Sequence, residues 1–138
     1  MKYTIVMLSI LFIADVATCL GSDQSVCSPG SEITYYPNGQ VKTCTLKNNL
    51  AINGVECNQA APISLFENGR LKSCVTRENF NYGTITCNQY GPVSLYASGK
   101  LNSCELAKPL QIDGKACDQQ ESITLFENGK LKSCSKPQ

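Results

Sequence analysis

A fifteen-residue pattern recurs four times at a fixed step of 30 residues, and this periodicity limits the chain to a repeat architecture. It reads P-I-S-L-F-E-N-G-R-L-K-S-C-V-T at Pro62–Thr76, with counterparts beginning at Glu32, Pro92 and Ser122 and no insertion or deletion between them. A unit of this size cannot bury an apolar face alone, so neighbouring units must stack to build a continuous core. The units are set at 27–56, 57–86, 87–116 and a shorter 117–138, within one domain over 22–138. The polar stretch Ser135–Gln138 suits the capping end of such an array.

Each complete unit divides into two β-hairpins. The first is centred on Asn38-Gly39, Asn68-Gly69, Ser98-Gly99 or Asn128-Gly129. Asn and Gly tolerate positive φ, which a two-residue type I′ turn needs at both central residues. Such a turn pairs Phe66 with Leu71, Leu65 with Lys72 and Ile63 with Cys74. Partners across a ladder share a face, so Phe66 and Leu71 fall on one face and Ile63, Leu65 and Cys74 on the other. The aromatic column Tyr36, Phe66, Tyr96 and Phe126 is then expected to form core rungs.

The second hairpin turns at Asn53-Gly54, Gly83-Thr84 or Asp113-Gly114, the Gly-Thr pair suiting a type II′ turn. Here Leu50, Ile52, Val55 and Cys57 share one face, as do Phe80, Tyr82, Ile85 and Cys87, while Lys115 interrupts the apolar face of the third copy. No segment after residue 22 carries a helical period. The expected fold is all-β: an elongated array of β-hairpins, two per 30-residue repeat, stapled by disulfides into a meander or a short β-solenoid.

Cysteine is the compositional outlier, with nine in 138 residues. Ahead of the array, Thr4–Ala14 is an uninterrupted apolar run behind Lys2, ended by Asp15 and followed by small residues up to Ser22. The run is too short to span a bilayer and has the layout of a secretory signal peptide, assigned to residues 1–21. V-A-T-C, ending at Cys19, is similar to the box in which bacterial lipoproteins are acylated, although Thr18 and Asp15 fit that box poorly. Cleavage after Cys19, Gly21 or Ser22 accounts for the same residues, so soluble export is favoured over lipidation.

The other eight cysteines form two series, Cys27, Cys57, Cys87, Cys117 and Cys44, Cys74, Cys104, Cys134. In an exported chain this even, regular set reads as a disulfide framework. Two regular pairings are open. One joins Cys27–Cys44, Cys57–Cys74, Cys87–Cys104 and Cys117–Cys134. The other joins Cys44–Cys57, Cys74–Cys87 and Cys104–Cys117 and leaves Cys27 and Cys134 over. Hairpin geometry does not separate them. The ends favour the first, because the array opens on one series and closes on the other. Metal binding would want close C-x-x-C pairs, usually with His, and the chain has neither, so no metal and no cofactor is expected.

The sequence contains no His and no Trp, which removes the commonest general base and any imidazole to activate a thiol. No Gly-rich phosphate loop or carboxylate dyad stands out either, and the reading is of a protein that is not an enzyme. A formal net charge of +1, with both signs interspersed, supplies no pull toward nucleic acid. Two basic columns do emerge from the repeat: Arg70, Lys100 and Lys130, and, two residues on, Lys42, Lys72 and Lys132. Stacked, they would run along the array as a stripe for an anionic partner such as lipid headgroups or acidic glycans. The plainer reading, which Gln40 and Asn102 favour by interrupting the columns, is solvated cations that keep strand edges from aggregating. Glu67 and Glu127, opposite Arg70 and Lys130, fit weak cross-strand ion pairs.

The first hairpins, Y-Y-P-N-G-Q-V-K-T at Tyr35–Thr43, L-F-E-N-G-R-L-K-S at Leu65–Ser73 and L-F-E-N-G-K-L-K-S at Leu125–Ser133, resemble the MORN-type repeat, above all its bacterial variant with Y-x-N-G-K-L-K-S cores. The resemblance touches the first hairpin of all four units and implies a β-hairpin array used as an interaction scaffold. The chain departs from it in its longer period, lower glycine content and cysteines.

The function expected is a non-catalytic exported scaffold, monomeric, that binds a protein or an anionic surface. It would meet a membrane only if lipid-anchored at Cys19. The alternative is a small secreted inhibitor or effector acting through one hairpin loop, with Asn79–Thr86 and Ala97-Ser98 as the turns that depart from the repeat. The expected location is extracytoplasmic: secreted, periplasmic or in the cell envelope.

Overall fold

The computed structural model describes residues 24–136. The signal segment 1–21 and Cys19 lie outside the described residues, as do both ends of the 22–138 domain. The first hairpin of the first unit is β1 (Thr34–Tyr35) with β2 (Val41–Thr45), and its second hairpin is β3 (Leu50–Ile52) with β4 (Val55–Cys57). The next two units repeat this as β5 (Pro62–Leu65) with β6 (Leu71–Val75), β7 (Phe80–Tyr82) with β8 (Ile85–Cys87), β9 (Pro92–Leu95) with β10 (Leu101–Glu105), and β11 (Leu110–Ile112) with β12 (Lys115–Cys117). The last hairpin is β13 (Ser122–Leu125) with β14 (Leu131–Ser135).

All four first hairpins join edge to edge into one antiparallel sheet of eight strands, ordered β1-β2-β5-β6-β9-β10-β13-β14. Thr43 pairs with Ser64, Ser73 with Ser94, and Ser103 with Thr124 across the three joints. Each second hairpin is a separate two-stranded excursion between neighbouring first hairpins. The array is thus a meander with one face roofed by small hairpins, and not a solenoid. Eight strands at about 4.8 Å spacing extend about 34 Å, whereas a five-residue strand covers about 17 Å, which makes the sheet elongated across its strands.

The first-hairpin turn departs from the type I′ expectation. Phe66 N–H donates to Arg70 O and Gly69 N–H to Phe66 O, and Gly69 alone has positive φ, at 79°. This is a three-residue loop with a left-handed glycine. It shifts the near register by one, so Leu65 pairs with Leu71 and not with Lys72. A bulge at Lys72 then shifts it back, and Ser64–Ser73 and Ile63–Cys74 follow in the pairing a two-residue turn would have given. The same irregularity occurs in all four first hairpins. Its consequence is a single apolar face: Ile63, Leu65, Leu71 and Cys74 are all buried, and Phe66 moves to the opposite side.

The second hairpins keep the registers expected of them, Leu50↔Cys57 and Ile52↔Val55 in the first copy, Phe80↔Cys87 and Tyr82↔Ile85 in the second. Asn53 and Gly54 both have positive φ, as do Asp113 and Gly114, while in the second copy Gly83 carries it, as types I′ and II′ require. These turns also fasten the two layers. Leu71 N–H donates to Asn53 Oδ1 at 2.7 Å, and Leu131 N–H to Asp113 Oδ2 at 2.6 Å, so in these two copies a turn side chain accepts the N–H beside the bulge.

Gly83 has no side chain to do this for Leu101. Replacing Gly83-Thr84 by Asn-Gly is therefore expected to add about 1 kcal/mol, the usual net worth of one hydrogen bond. Urea unfolding would read the gain, and an unchanged midpoint would mean that the Asn53 contact contributes nothing.

Four disulfides close the layers: Cys27–Cys44, Cys57–Cys74, Cys87–Cys104 and Cys117–Cys134, each at a sequence separation of 17. In the bridge Cys57–Cys74, one half-cystine sits on β4 and the other on β6, so the bond ties a second hairpin to the sheet beneath it. Leu46, Thr76 and Leu106 share a buried column beside the bridges. Thr76 is the polar member, and its hydroxyl donates to Asn88 O at 2.7 Å, as a buried hydroxyl must.

Candidate binding face

With disulfides, core and second hairpins on the inner face, the outer face of the sheet carries the polar side chains. Alternation along each strand sends residues two apart to the same side, and the ladder aligns them across strands. Thr34 stands opposite Thr43, Thr43 opposite Ser64, Ser64 opposite Ser73, and Ser73 opposite Ser94. Ser94 then faces Ser103, Ser103 faces Thr124, and Thr124 faces Ser133. One hydroxyl per strand thus runs through all eight strands. Within hairpins the hydroxyls bond each other, Thr34 with Thr43 and Ser94 with Ser103, the latter at 2.7 Å.

Beside this row lies a second one, built from the aromatics and the bulge residues. Lys42 Nζ is 5.6 Å from the Tyr36 ring centroid, Lys72 Nζ 5.9 Å from that of Phe66, and Lys132 Nζ 5.8 Å from that of Phe126, within cation–π range. Tyr36 Oη donates to Leu65 O at 2.9 Å and Tyr96 Oη to Leu125 O at 2.8 Å, each reaching the next repeat. The expectation that these aromatics are core rungs is corrected: they line the outer face, with Phe126 49% exposed. The double register shift is the cause. Between repeats the two rows form a shallow cleft of about 460 Å³ whose lining includes Phe66, Lys72, Ser73, Ser94, Tyr96 and Asn102.

The two basic columns are structurally distinct. Lys42, Lys72 and Lys132 occupy the bulge, whereas Arg70, Lys100 and Lys130 follow the left-handed glycine at the turn. Arg70 reaches sideways to the next turn, its Nη1 donating to Ala97 O at 3.5 Å. Glu67 does not stand opposite Arg70, because the three-residue loop contains Glu67 and sets Phe66 across from Arg70. Along this margin six cations meet two carboxylates, Glu67 and Glu127. The rest of the described chain carries five cations and seven carboxylates. The turn-side margin of the hydroxyl row thus carries an excess of four positive charges, while Glu32 and Glu105 flank the row on its other side.

Sequence reasoning picked out both basic columns and passed over the hydroxyls. Their signal was present, since positions 34, 64, 94, 124 and 43, 73, 103, 133 hold only Ser or Thr. A second column escaped for lack of any residue preference. Gly30, Ala60, Tyr90 and Gln120 all have positive φ, between 57° and 77°, and only the first is a residue suited to it. Near the last bridge, Glu121 lies within 4.8 Å of the Cys117 and Cys134 sulfurs. Both sulfurs are in the disulfide, and Glu121 Oε2 accepts from Asp118 N–H at 3.0 Å.

Comparison with protein-family models, curated proteins and solved structures returns no match.

Proposed function

We propose that the chain is a non-catalytic, exported repeat scaffold that binds its partner on the outer face of the eight-stranded sheet. The observation that carries this reading is the sidedness of the array. One face is closed by the small hairpins and bridges, and the other presents a hydroxyl on every strand and cations in every repeat. Four disulfides require an oxidising compartment, which supports export to a secreted, periplasmic or envelope location. The MORN-type resemblance of the first hairpins supports the same scaffold role, because those hairpins supply the whole binding sheet. A panel of general hydrolase substrates is expected to give no turnover.

A second reading has one observation behind it. Tyr90 sits in the 88–91 turn, 64% exposed and with φ 57°, a left-handed conformation that costs a non-glycine residue about 1–2 kcal/mol. Ala60 and Gln120 share this backbone, so what sets Tyr90 apart is the exposed aromatic it carries there, which suits an effector that acts through one loop. In this second reading the acting loop is the turn that carries Tyr90, in addition to the departing turns Asn79–Thr86 and Ala97-Ser98.

A photoreactive amino acid introduced singly at positions 73, 90 and 111 separates the readings on the producing cells and their surroundings. Cross-linking from 73, with little from 111 on a second hairpin, is the expected outcome. Cross-linking from 90 alone would replace the scaffold by the loop effector, and equal labelling from all three would remove both.

A further inference from the structure

Building on the outer-face reading, we infer that the occupant is a single extended anionic polysaccharide lying across the strands, one disaccharide to each repeat. The first argument is metric. A repeat advances the sheet by two strands, about 9.6 Å, a length comparable to that of two rings of an extended β-linked sugar chain. Two sugars therefore correspond to one repeat, and flexible glycosidic bonds and long lysine side chains take up the small difference in step.

Chemical order within the repeat matches that step. Every repeat offers an aromatic ring, Tyr36, Phe66, Tyr96 or Phe126, as an apolar contact for one sugar, and the lysine lying over Tyr36, Phe66 and Phe126 would meet that sugar's anionic group there. Every repeat also offers two hydroxyls, such as Ser64 and Ser73 in the second, for hydroxyls at the sugar's edge. The interruptions in the basic columns prove complementary. Lys42 stands in the repeat where Gln40 breaks the first column, and Lys100 in the repeat where Asn102 breaks the second. No repeat is left without a cation, so a chain with one carboxylate or sulfate per disaccharide meets a positive charge at each step.

The shape selects against other anions. A membrane is met by a broad field of cations, whereas here they run in a narrow band beside hydroxyls. Sheets twist by about 20° per strand, so the row follows a helical path that a single chain can track and a flat crystal face cannot.

The test is affinity electrophoresis and calorimetry with hyaluronan oligosaccharides, which alternate a carboxylate-bearing and a neutral sugar. Expected is binding that strengthens at least tenfold from the tetrasaccharide to the octasaccharide, as added disaccharides engage successive repeats, and then levels off. It should weaken steeply between low and 0.5 M salt, an order-of-magnitude choice set by screening. K42Q/K72Q/K132Q is expected to lose at least tenfold and F66L several-fold, with melting unchanged because these side chains lie outside the core. Neutral hydroxyethylcellulose should not bind.

Equal binding to the neutral polymer would overturn the inference, as would the absence of any length dependence. So would binding only to vesicles of equal parts phosphatidylcholine and phosphatidylserine. If no oligosaccharide binds at low salt while cross-linking from position 73 persists, the polysaccharide is wrong and the outer-face scaffold stands.

Discussion

Replacing Cys57 and Cys74 together by serine is expected to cost about 3 kcal/mol, the chain-entropy value for a loop of about this length. That bridge joins positions 17 apart in sequence and ties β4 to β6. The cost matters because a domain of this size has a total stability of about 5–15 kcal/mol. The bridges are also part of the core. Among the described residues, eight of the twenty-two buried apolar ones are half-cystines, so their loss removes packing as well as the cross-link. Urea unfolding followed by circular dichroism would read the difference, and the melting temperature should fall by about 10 °C or more. Full reduction removes four such contributions and should leave no cooperative transition. A double mutant within 1 kcal/mol of the parent, a small fraction of that total, would mean that the roof of hairpins holds to the sheet without its staples.

Leu71→Ala should cost about 2–5 kcal/mol, the range for truncating a buried leucine, while Phe66→Ser should cost less than about 1 kcal/mol. Leu71 is 1% exposed, opposite Leu65 and beneath the second hairpin. Phe66 shares the outer face with Lys72 and contributes nothing to the buried cluster. The pair of variants tests the double register shift directly. A plain two-residue turn would put Phe66 and Leu71 on one face and make both losses alike. Comparable destabilisation of the two would therefore dismiss the three-residue loop with its bulge.

Much of this array was legible in the residues because the repeat reports each rule several times. In the second hairpins, apolar alternation and turn chemistry agree. Leu50, Ile52, Val55 and Cys57 fall on one face in any register that Asn53-Gly54 permits, so the local rule and the fold coincide. In the first hairpins they do not. Asn68-Gly69 is compatible with a two-residue type I′ turn and equally with a type I turn ending in a left-handed glycine. Nothing within Pro62–Thr76 weighs one against the other, and the choice between them decides which face the aromatic column lines.

The candidate face shows the same division. Its cations could be found one column at a time, but their sidedness depends on where the bulge sits. Lys72 projects beside Phe66 because it is the extra residue of the bulge, and Asn53 accepts the Leu71 N–H next to it from another repeat. The hydroxyl row needed only the observation that two columns never leave Ser or Thr. Tyr90 offered no such signal, since its left-handed backbone is imposed by the turn that returns the chain to the sheet.

The order of residues is enough to establish the 30-residue unit, two hairpins in each, the registers of the second hairpins and two regular schemes for eight cysteines. These depend on contacts between residues close in the chain, where turn preference and alternation act alone. The first-hairpin turn, the roofing of one face and the polarity of the other follow from how the hairpins pack on one another. The physical reason is that burying Leu71 under a neighbouring hairpin contributes about 1.5–3 kcal/mol. No local preference between two turns of the same Asn-Gly pair is large enough to oppose it.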